Sequence, residues 1–287
     1  MMNIRLFIFL LIISCLGCNW INPIEEAPAF ISIGQTAISI EPGQQDIRNH
    51  ALKAIYTYRQ DEAIPLGVLG NGAKIPLKDF KPFDLYFRGA IFENGSSSLI
   101  KEYPFWKTLQ RPSSPQKGKI EYYDLTFEYF PDSVLAYPVN EGFEGQSLQL
   151  EAFGAQPNPA TLIRTALQQY QGGYGGFIQF DGGKINYQAQ STNSFALPGS
   201  GSQVWLEIAY KTTLAFQLGL VAEQSGSVKV LNQNTLIPKD EWNVAYLNFT
   251  SLASAYSGSN FRLWIGANGN GNTHELLIDR IRLIHFK

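Results

Sequence analysis

The feature that most constrains this chain is an apolar residue at every second position, repeated in short runs that glycine, proline and asparagine interrupt. A side-chain period of two belongs to a strand with one buried face, whereas a helix repeats its apolar residues every three to four positions. Phe30-Ile31-Ser32-Ile33 and Ala37-Ile38-Ser39-Ile40 open the series and stop at Glu41-Pro42-Gly43. Leu52 to Tyr58, Leu66 to Leu69 before Gly70-Asn71-Gly72, Phe83 to Arg88 after Lys81-Pro82, and Ile120 to Tyr129 before Pro131 continue it. From about Gly142 the composition shifts to Gly, Asn, Gln and Ser. The runs there are Phe177 to Phe180, Val204 to Tyr210, Leu214 to Val221, Trp242 to Phe249, Phe261 to Gly266 and Leu276 to Ile284. No 3.6-residue period is sustained, and Ala160 to Tyr170 reads equally as helix or strand.

The expected fold is therefore all-β. A small N-terminal β-sandwich, immunoglobulin-like or similar, is expected over 29–118, a connecting strand or linker over 119–142, and a jelly-roll β-sandwich over 143–287. Hydrophobic residues at 45% and charged residues at 16% suffice for packed cores. A formal net charge of -2, with no run of Lys or Arg, argues against nucleic acid as a partner, since phosphate binding needs a clustered cationic surface.

The start of the chain carries an address. Arg5 precedes an uncharged stretch from Leu6 to Ile13 and the small residues of Ser14-Cys15-Leu16-Gly17-Cys18. That stretch falls short of the roughly 20 residues a membrane span needs and reads as a secretory signal. Both cysteines sit here and none follows, so no disulfide is expected in the body. The arrangement resembles the bacterial lipobox, in which a small residue precedes a cysteine that becomes diacylated. Cys18 after Gly17 is the expected acceptor, with Cys15 after Ser14 the alternative. Residues 1–17 are then the leader and 18–28 the lipidated cysteine with its tether. A multiply acylated residue anchors stably, which implies attachment to the outer membrane with the periplasmic and cell-surface faces both open.

Enzyme chemistry finds no support. His50, His274 and His285 have no metal-binding spacing, and neither a Gly-x-Ser-x-Gly elbow nor a phosphate loop occurs. The glycines of Gly172 to Gly176 lead into a strand instead of a helix N-terminus. Sugar binding has modest support, because aromatic planes stack on pyranose faces while amides take the hydroxyls. Tyr174, Tyr187, Trp205 and Trp264 are candidates, with Asn268, Asn270 and Asn272 beside them. The alternative is that Trp205 and Trp264 fill the core and that the Asn-Gly alternation is turn chemistry. By strict alternation Leu277, Asp279, Ile281 and Leu283 share a face, where an aspartate needs a partner.

The segments Phe143-Glu144-Gly145, Val204 to Lys211, Trp242 to Leu247 and Leu277 to Leu283 resemble the galactose-binding-like jelly rolls of carbohydrate-binding modules. The whole chain resembles a family of Bacteroidota outer-membrane lipoproteins. Leu66-Gly67, Ile75-Pro76-Leu77, Tyr103-Pro104-Phe105, Pro131-Asp132-Ser133 and Gly142 to Gly145 carry that likeness. The resemblance implies a non-enzymatic accessory or interaction subunit of an envelope complex with protein partners. Its rival is a carbohydrate-binding lipoprotein of a glycan-uptake system. It also implies structural calcium held by Glu144 and Asp279, with further oxygens completing the six to eight that calcium takes. Asp132-Ser133-Val134 resembles a Bacteroidota O-glycosylation acceptor, with Ser133 as the modified residue.

Overall fold

The computed structural model describes residues 27–39, 52–60, 62, 65–70, 72–95, 98–170 and 172–287; Cys15 and Cys18 lie outside them. The N-terminal body is built from β1 (Ala29–Ser39), β2 (Ala54–Arg59), β3 (Gly67–Leu69), β4 (Lys74–Leu77), β5 (Phe83–Phe92), β6 (Ile100–Glu102), β7 (Leu109–Ser113) and β8 (Ile120–Glu128). One sheet has the order β4-β1-β8, with β1 and β8 parallel. The other runs β3-β2-β5, and β6 and β7 share the far edge of β5. The first two apolar runs form the single strand β1, with a register shift between Ile33 and Thr36. Ile31, Ile55, Ile75, Leu85, Phe87, Leu125 and Phe127 fill the space between the sheets.

The C-terminal body comprises β9 (Leu135–Glu141), β10 (Leu150–Ala152), β11 (Leu162–Thr165), β12 (Gly175–Phe180), β13 (Asn186–Ser191), β14 (Val204–Thr212), β15 (Phe216–Gln224), β16 (Ser227–Leu236), β17 (Lys239–Asn248), β18 (Asn260–Asn268) and β19 (His274–Phe286). A six-residue helix, α1 (Thr250–Ala255), interrupts them, and no described helix is long and apolar enough to cross a membrane. Two antiparallel sheets face each other: β10-β13-β18-β15-β16, and β11-β12-β19-β14-β17 with β9 added along β19. Their inward residues, among them Phe180, Leu206, Ile208, Phe216, Leu218, Leu247, Leu263 and Ile265, form one core. The fold is thus all-β, a small sandwich followed by a jelly-roll sandwich. The ambiguous Ala160 to Tyr170 stretch contains β11.

Two details differ from the sequence reading. Residues 119–142, expected as a connecting strand or linker, hold two strands that belong to different sheets. β8 belongs to the N-terminal sheet and β9 to the jelly roll, so the junction shrinks to the turn around Pro131 to Val134. Leu125, Phe127 and Tyr129 drive this, since each is buried on the inward face of β8 or just beyond it. The second difference is parity in β19. Arg280 adopts φ +49° and shifts the register against β14. Leu276 and Ile278 therefore share the core with Ile281 and Leu283, while Leu277 and Asp279 point to the opposite face. A β-bulge inserts one extra residue and flips the alternation beyond it.

The six-stranded sheet is covered on both sides. Trp205, Tyr246 and Ile284 on its outer face join the N-terminal core through Tyr103, Phe105, Trp106 and Tyr129. The Tyr103 ring meets Trp205 and Tyr246 edge-on at 5.7 and 5.0 Å. Asn94, beyond β5, donates its N–H to the Tyr246 carbonyl at 2.7 Å and accepts the Asn248 N–H at 2.9 Å. At the centre Glu207 pairs with Arg282, their side chains 0% and 2% exposed. Glu207 also accepts the Tyr103 hydroxyl and, at 3.1 Å, that of Tyr129. The Arg282 guanidinium lies 4.8 Å over the Tyr129 ring and 5.3 Å from that of Tyr137. A buried ion pair depends on such supporting contacts, and here they meet the Glu207 carboxylate while Arg282 Nε is buried without a hydrogen-bond partner. Burial lowers the guanidinium's pKa, but Glu207 and the tyrosines more than offset it and leave it above its ordinary value.

Candidate functional site

The five-stranded sheet keeps one face open. β18 sends Phe261, Leu263 and Ile265 inward, which turns Trp264, Gly266 and Asn268 outward. Cross-strand register aligns Gln188, Gly266, Gln217 and Thr235 in one row, with Gln190, Trp264 and Gly219 in the next. An outward tryptophan would ordinarily be exposed, yet Trp264 shows only 6% of its surface. Gly266 explains this, since a Cβ there would stand 2.4 Å from the indole Cη2. The far edge of the indole ring therefore packs over the glycine, and Trp264 lines a groove.

That groove has a volume of about 580 Å³. Its walls include Asn186, Gln188, Gln217, Asn268, Asn270 and His274, and among the described residues no carboxylate, lysine or arginine lines it. The amides are held in place. Asn268 Nδ2 donates to Asn186 Oδ1 at 3.0 Å, Asn268 Oδ1 accepts the Asn270 N–H at 2.8 Å, and Asn186 Nδ2 donates to the Pro157 carbonyl at 2.8 Å. Asn270 and Gly271 take φ +51° and +80°, so the Asn-Gly alternation is turn chemistry that also builds the lip of the groove. Asn272 closes the turn by donating its N–H to the Gly269 carbonyl at 3.0 Å.

The structure separates the four aromatic candidates. Trp264 alone of them lines this groove. Trp205 is fully buried between the two bodies and donates its indole N–H to Gln203 Oε1 at 2.8 Å. Tyr174 lies under the Arg164 guanidinium, 3.2 Å from its ring centroid. Tyr187 sits in the jelly-roll core with 4% exposure, and burial raises its hydroxyl pKa well above the ordinary value. Gln188 and Gln217 escaped the sequence reading. The alternation Asn186-Tyr187-Gln188-Ala189-Gln190 was a usable signal, because amides at every outward position are more than a soluble face requires.

Glu144 and Asp279 both serve the loop between β11 and β12. Glu144 Oε1 accepts the Gly173 and Tyr174 N–H groups at 2.8 and 3.2 Å. Asp279 Oδ2 accepts the Tyr170 N–H at 2.9 Å, and its Oδ1 accepts the Arg280 N–H at 2.7 Å. Among the described residues no three His, Cys, Asp or Glu side chains converge as a metal-ligand group. Ser133 is exposed in the turn between β8 and β9, where Asp132 Oδ1 accepts the Tyr137 hydroxyl at 3.0 Å.

Fold and groove together define a two-sandwich β-protein with an amide-walled cleft on its open sheet. No family model matches the chain, and no curated protein does. Solved structures similar to it include a xylan-binding domain from CBM 22, 17% identical over 54% of this chain and 97% of that one, with a TM-score of 0.37. A family 11 carbohydrate-binding module from Clostridium thermocellum in complex with a beta-1,3-1,4-mixed-linked tetrasaccharide is 11% identical over 52% and 95%, with a TM-score of 0.39. A point mutant of the family 29 carbohydrate-binding module CBM29-2 is 18% identical over 53% and 85%, with a TM-score of 0.34.

Proposed function

We propose that this chain is a non-enzymatic glycan-binding protein of the cell envelope, taking an uncharged saccharide segment in the groove over Trp264. The observation that carries this is the pairing of an apolar indole with amide walls that, among the described residues, bear no charged side chain. Sugar hydroxyls donate and accept at once, and carboxamides offer both functions without the desolvation cost of an ion. The absence, among the described residues, of a carboxylate pair from the groove lining supports binding without hydrolysis. The groove favours this reading over that of an accessory subunit that meets only proteins. The Leu6 to Ile13 leader and Gly17-Cys18 support lipid anchoring at the outer membrane, which fatty-acid labelling abolished by Cys15→Ala with Cys18→Ala would establish.

The test is binding of the purified protein to a panel of neutral polysaccharides. Each wall amide contributes about 0.5–1.5 kcal/mol, so Gln188→Ala with Gln217→Ala should weaken binding about 10-fold. Both side chains are partly exposed, and the melting temperature should hold. Failure of every neutral glycan to bind, or undiminished binding by the double variant, would overturn the proposal.

A further inference from the structure

β6 and β7 share one edge of β5, with β6 opposite Ala90 to Phe92 and β7 opposite Phe83 to Phe87. Arg88 and Gly89 fall in the gap between them, where the Tyr103 N–H donates to the Gly89 carbonyl at 2.9 Å. A cavity of about 540 Å³ opens at this gap, with Gln203 of the jelly roll in its lining, and it shares no lining residue with the Trp264 groove. Small-ligand sites span about 300–1,000 Å³, so it is large enough for a sugar. Its charged groups are reachable, with 47% of the Arg88 side chain, 45% of Lys101 and 29% of Glu102 exposed. Among the described residues the lining holds two cations and one carboxylate. That carboxylate is already engaged: Glu102 accepts the Tyr58 hydroxyl and, at 3.2 Å, Arg88 Nη1. Gln203 Oε1 takes the Trp205 indole N–H at 2.8 Å, which leaves Nε2 as the end of the amide that can serve a ligand. The lining is thus rich in donors, from Arg88, Lys101 and Gln203, while its carboxylate is in use. Half-buried Tyr56, opposite Arg88 in the β2–β5 register, and half-buried Phe130 add aromatic rings.

We infer that this cavity binds an acidic sugar, a hexuronate whose carboxylate meets Arg88 and whose ring lies against the aromatic side chains. A carboxylate brings acceptors only, which suits a donor-rich lining, and hydrogen bonds to it from a guanidinium are charge-assisted. Arg88 spends one nitrogen on Glu102 and keeps further N–H groups for a ligand. Lys101 is held by Glu93 at 3.1 Å, so it adds field more than contact. The hydroxyls of a neutral sugar replace water at an exposed cation with little gain, whereas a carboxylate adds Coulomb attraction. The C–H face of a pyranose packs on Tyr56 or Phe130, a surface that a carboxylate without a ring leaves uncovered. This inference does not depend on the Trp264 groove, which takes uncharged saccharides through different residues.

The experiment titrates the full protein with glucuronate and galacturonate, each against its neutral counterpart, glucose or galactose. N-acetylalanine supplies a carboxylate on a peptide unit without the ring. Calorimetry follows binding, and the side-chain amide resonances of Gln203 in NMR spectra report occupancy of this cavity alone. At least one uronate should shift those resonances saturably and bind more weakly as salt is added, because exposed charges are screened. Its neutral counterpart should act at Gln203 about 10-fold more weakly or less, for want of the charge-assisted bond. Arg88→Gln should weaken the uronate by a similar factor of about 10. Glu102 keeps the Tyr58 hydroxyl in that variant, so its melting temperature should hold; the comparison of sugars on the parent protein decides the matter without any variant. Gln188→Ala with Gln217→Ala should bind the uronate as the parent does, since neither residue lines this cavity, and the two sites therefore read out separately. No binding of either uronate up to high millimolar concentration would overturn the inference. So would a neutral sugar or N-acetylalanine that matches the uronate at Gln203, or an Arg88→Gln protein that binds normally.

Discussion

Glu207→Gln is the most discriminating perturbation of this molecule. It preserves the side-chain shape but removes the charge facing Arg282, whose side chain is 2% exposed. A guanidinium does not deprotonate in proteins, so the orphaned cation has no way to neutralise itself. Removing one partner of such a pair costs about 3–5 kcal/mol, a large part of the 5–15 kcal/mol that stabilises a typical protein. The melting temperature should fall by roughly 6–20 °C. Arg282→Met should cost less, about 2–3 kcal/mol, because Glu207 keeps its two tyrosine donors. Replacing the whole cluster, with Glu207→Leu, Arg282→Met, Tyr103→Phe and Tyr129→Phe together, should recover most of the loss, since no uncompensated charge is then left buried. Urea unfolding of the series reads these differences directly. A Glu207→Gln protein within about 1 kcal/mol of the parent, or one more stable than Arg282→Met, would refute the reasoning.

Three further outcomes are expected. Burial, joined by Glu207 for the first two, raises the pKa values of Tyr103, Tyr129 and Tyr187, so the folded protein holds phenolic protons that the unfolded chain releases near pH 10. Their stabilisation is complete below pH 10 and drains as pH rises above it, by about 1.4 kcal/mol per pH unit for each tyrosine, and melting curves from pH 9 to 12 with a flat profile would contradict this. Gly266→Ala should push the Trp264 indole off its seat, costing about 1–3 kcal/mol and weakening glycan binding, with tryptophan fluorescence reporting the shift; unchanged emission and stability would count against this packing. Asp279→Ala frees the Tyr170 and Arg280 amides and should lower stability by about 1–3 kcal/mol, while a chelator should leave the parent's melting temperature unmoved because amides already serve both carboxylates, and a chelator-induced drop would instead establish calcium at Glu144 and Asp279.

The strands were legible because burial on one face writes itself into alternation. Val204 to Tyr210, Trp242 to Phe249 and Phe261 to Gly266 stand where the pattern puts them. Alternation breaks where the backbone does, and nothing in Leu277 to Leu283 announces that Arg280 will adopt positive φ and reverse the facing of all that follows. The contact between the bodies was equally silent. Glu207 and Arg282 occupy the polar positions of alternating strands and look like solvent-facing residues until a second body covers them. Ile120 to Tyr129 was recognised as a strand but not assigned to a sheet, because a parallel partner almost ninety residues earlier leaves no local mark. Of the groove, Trp264, Asn268 and Asn270 were visible as types. Their convergence with Gln188 and Gln217 depends on cross-strand register, which one run of sequence does not contain.

β19 lies between β14 on one side and β12 and β9 on the other, and β1 lies between β4 and β8. Among the described residues, the first and last strands in chain order are thus interior members of their sheets. A chain that emerges from its N-terminus during synthesis can close neither the six-stranded sheet nor the Glu207–Arg282 pair until Arg282 has emerged. Every partner of β19 must wait with an unpaired edge, and pairings this distant in sequence form slowly. The jelly roll therefore relies on being shielded from aggregation until its final strand inserts.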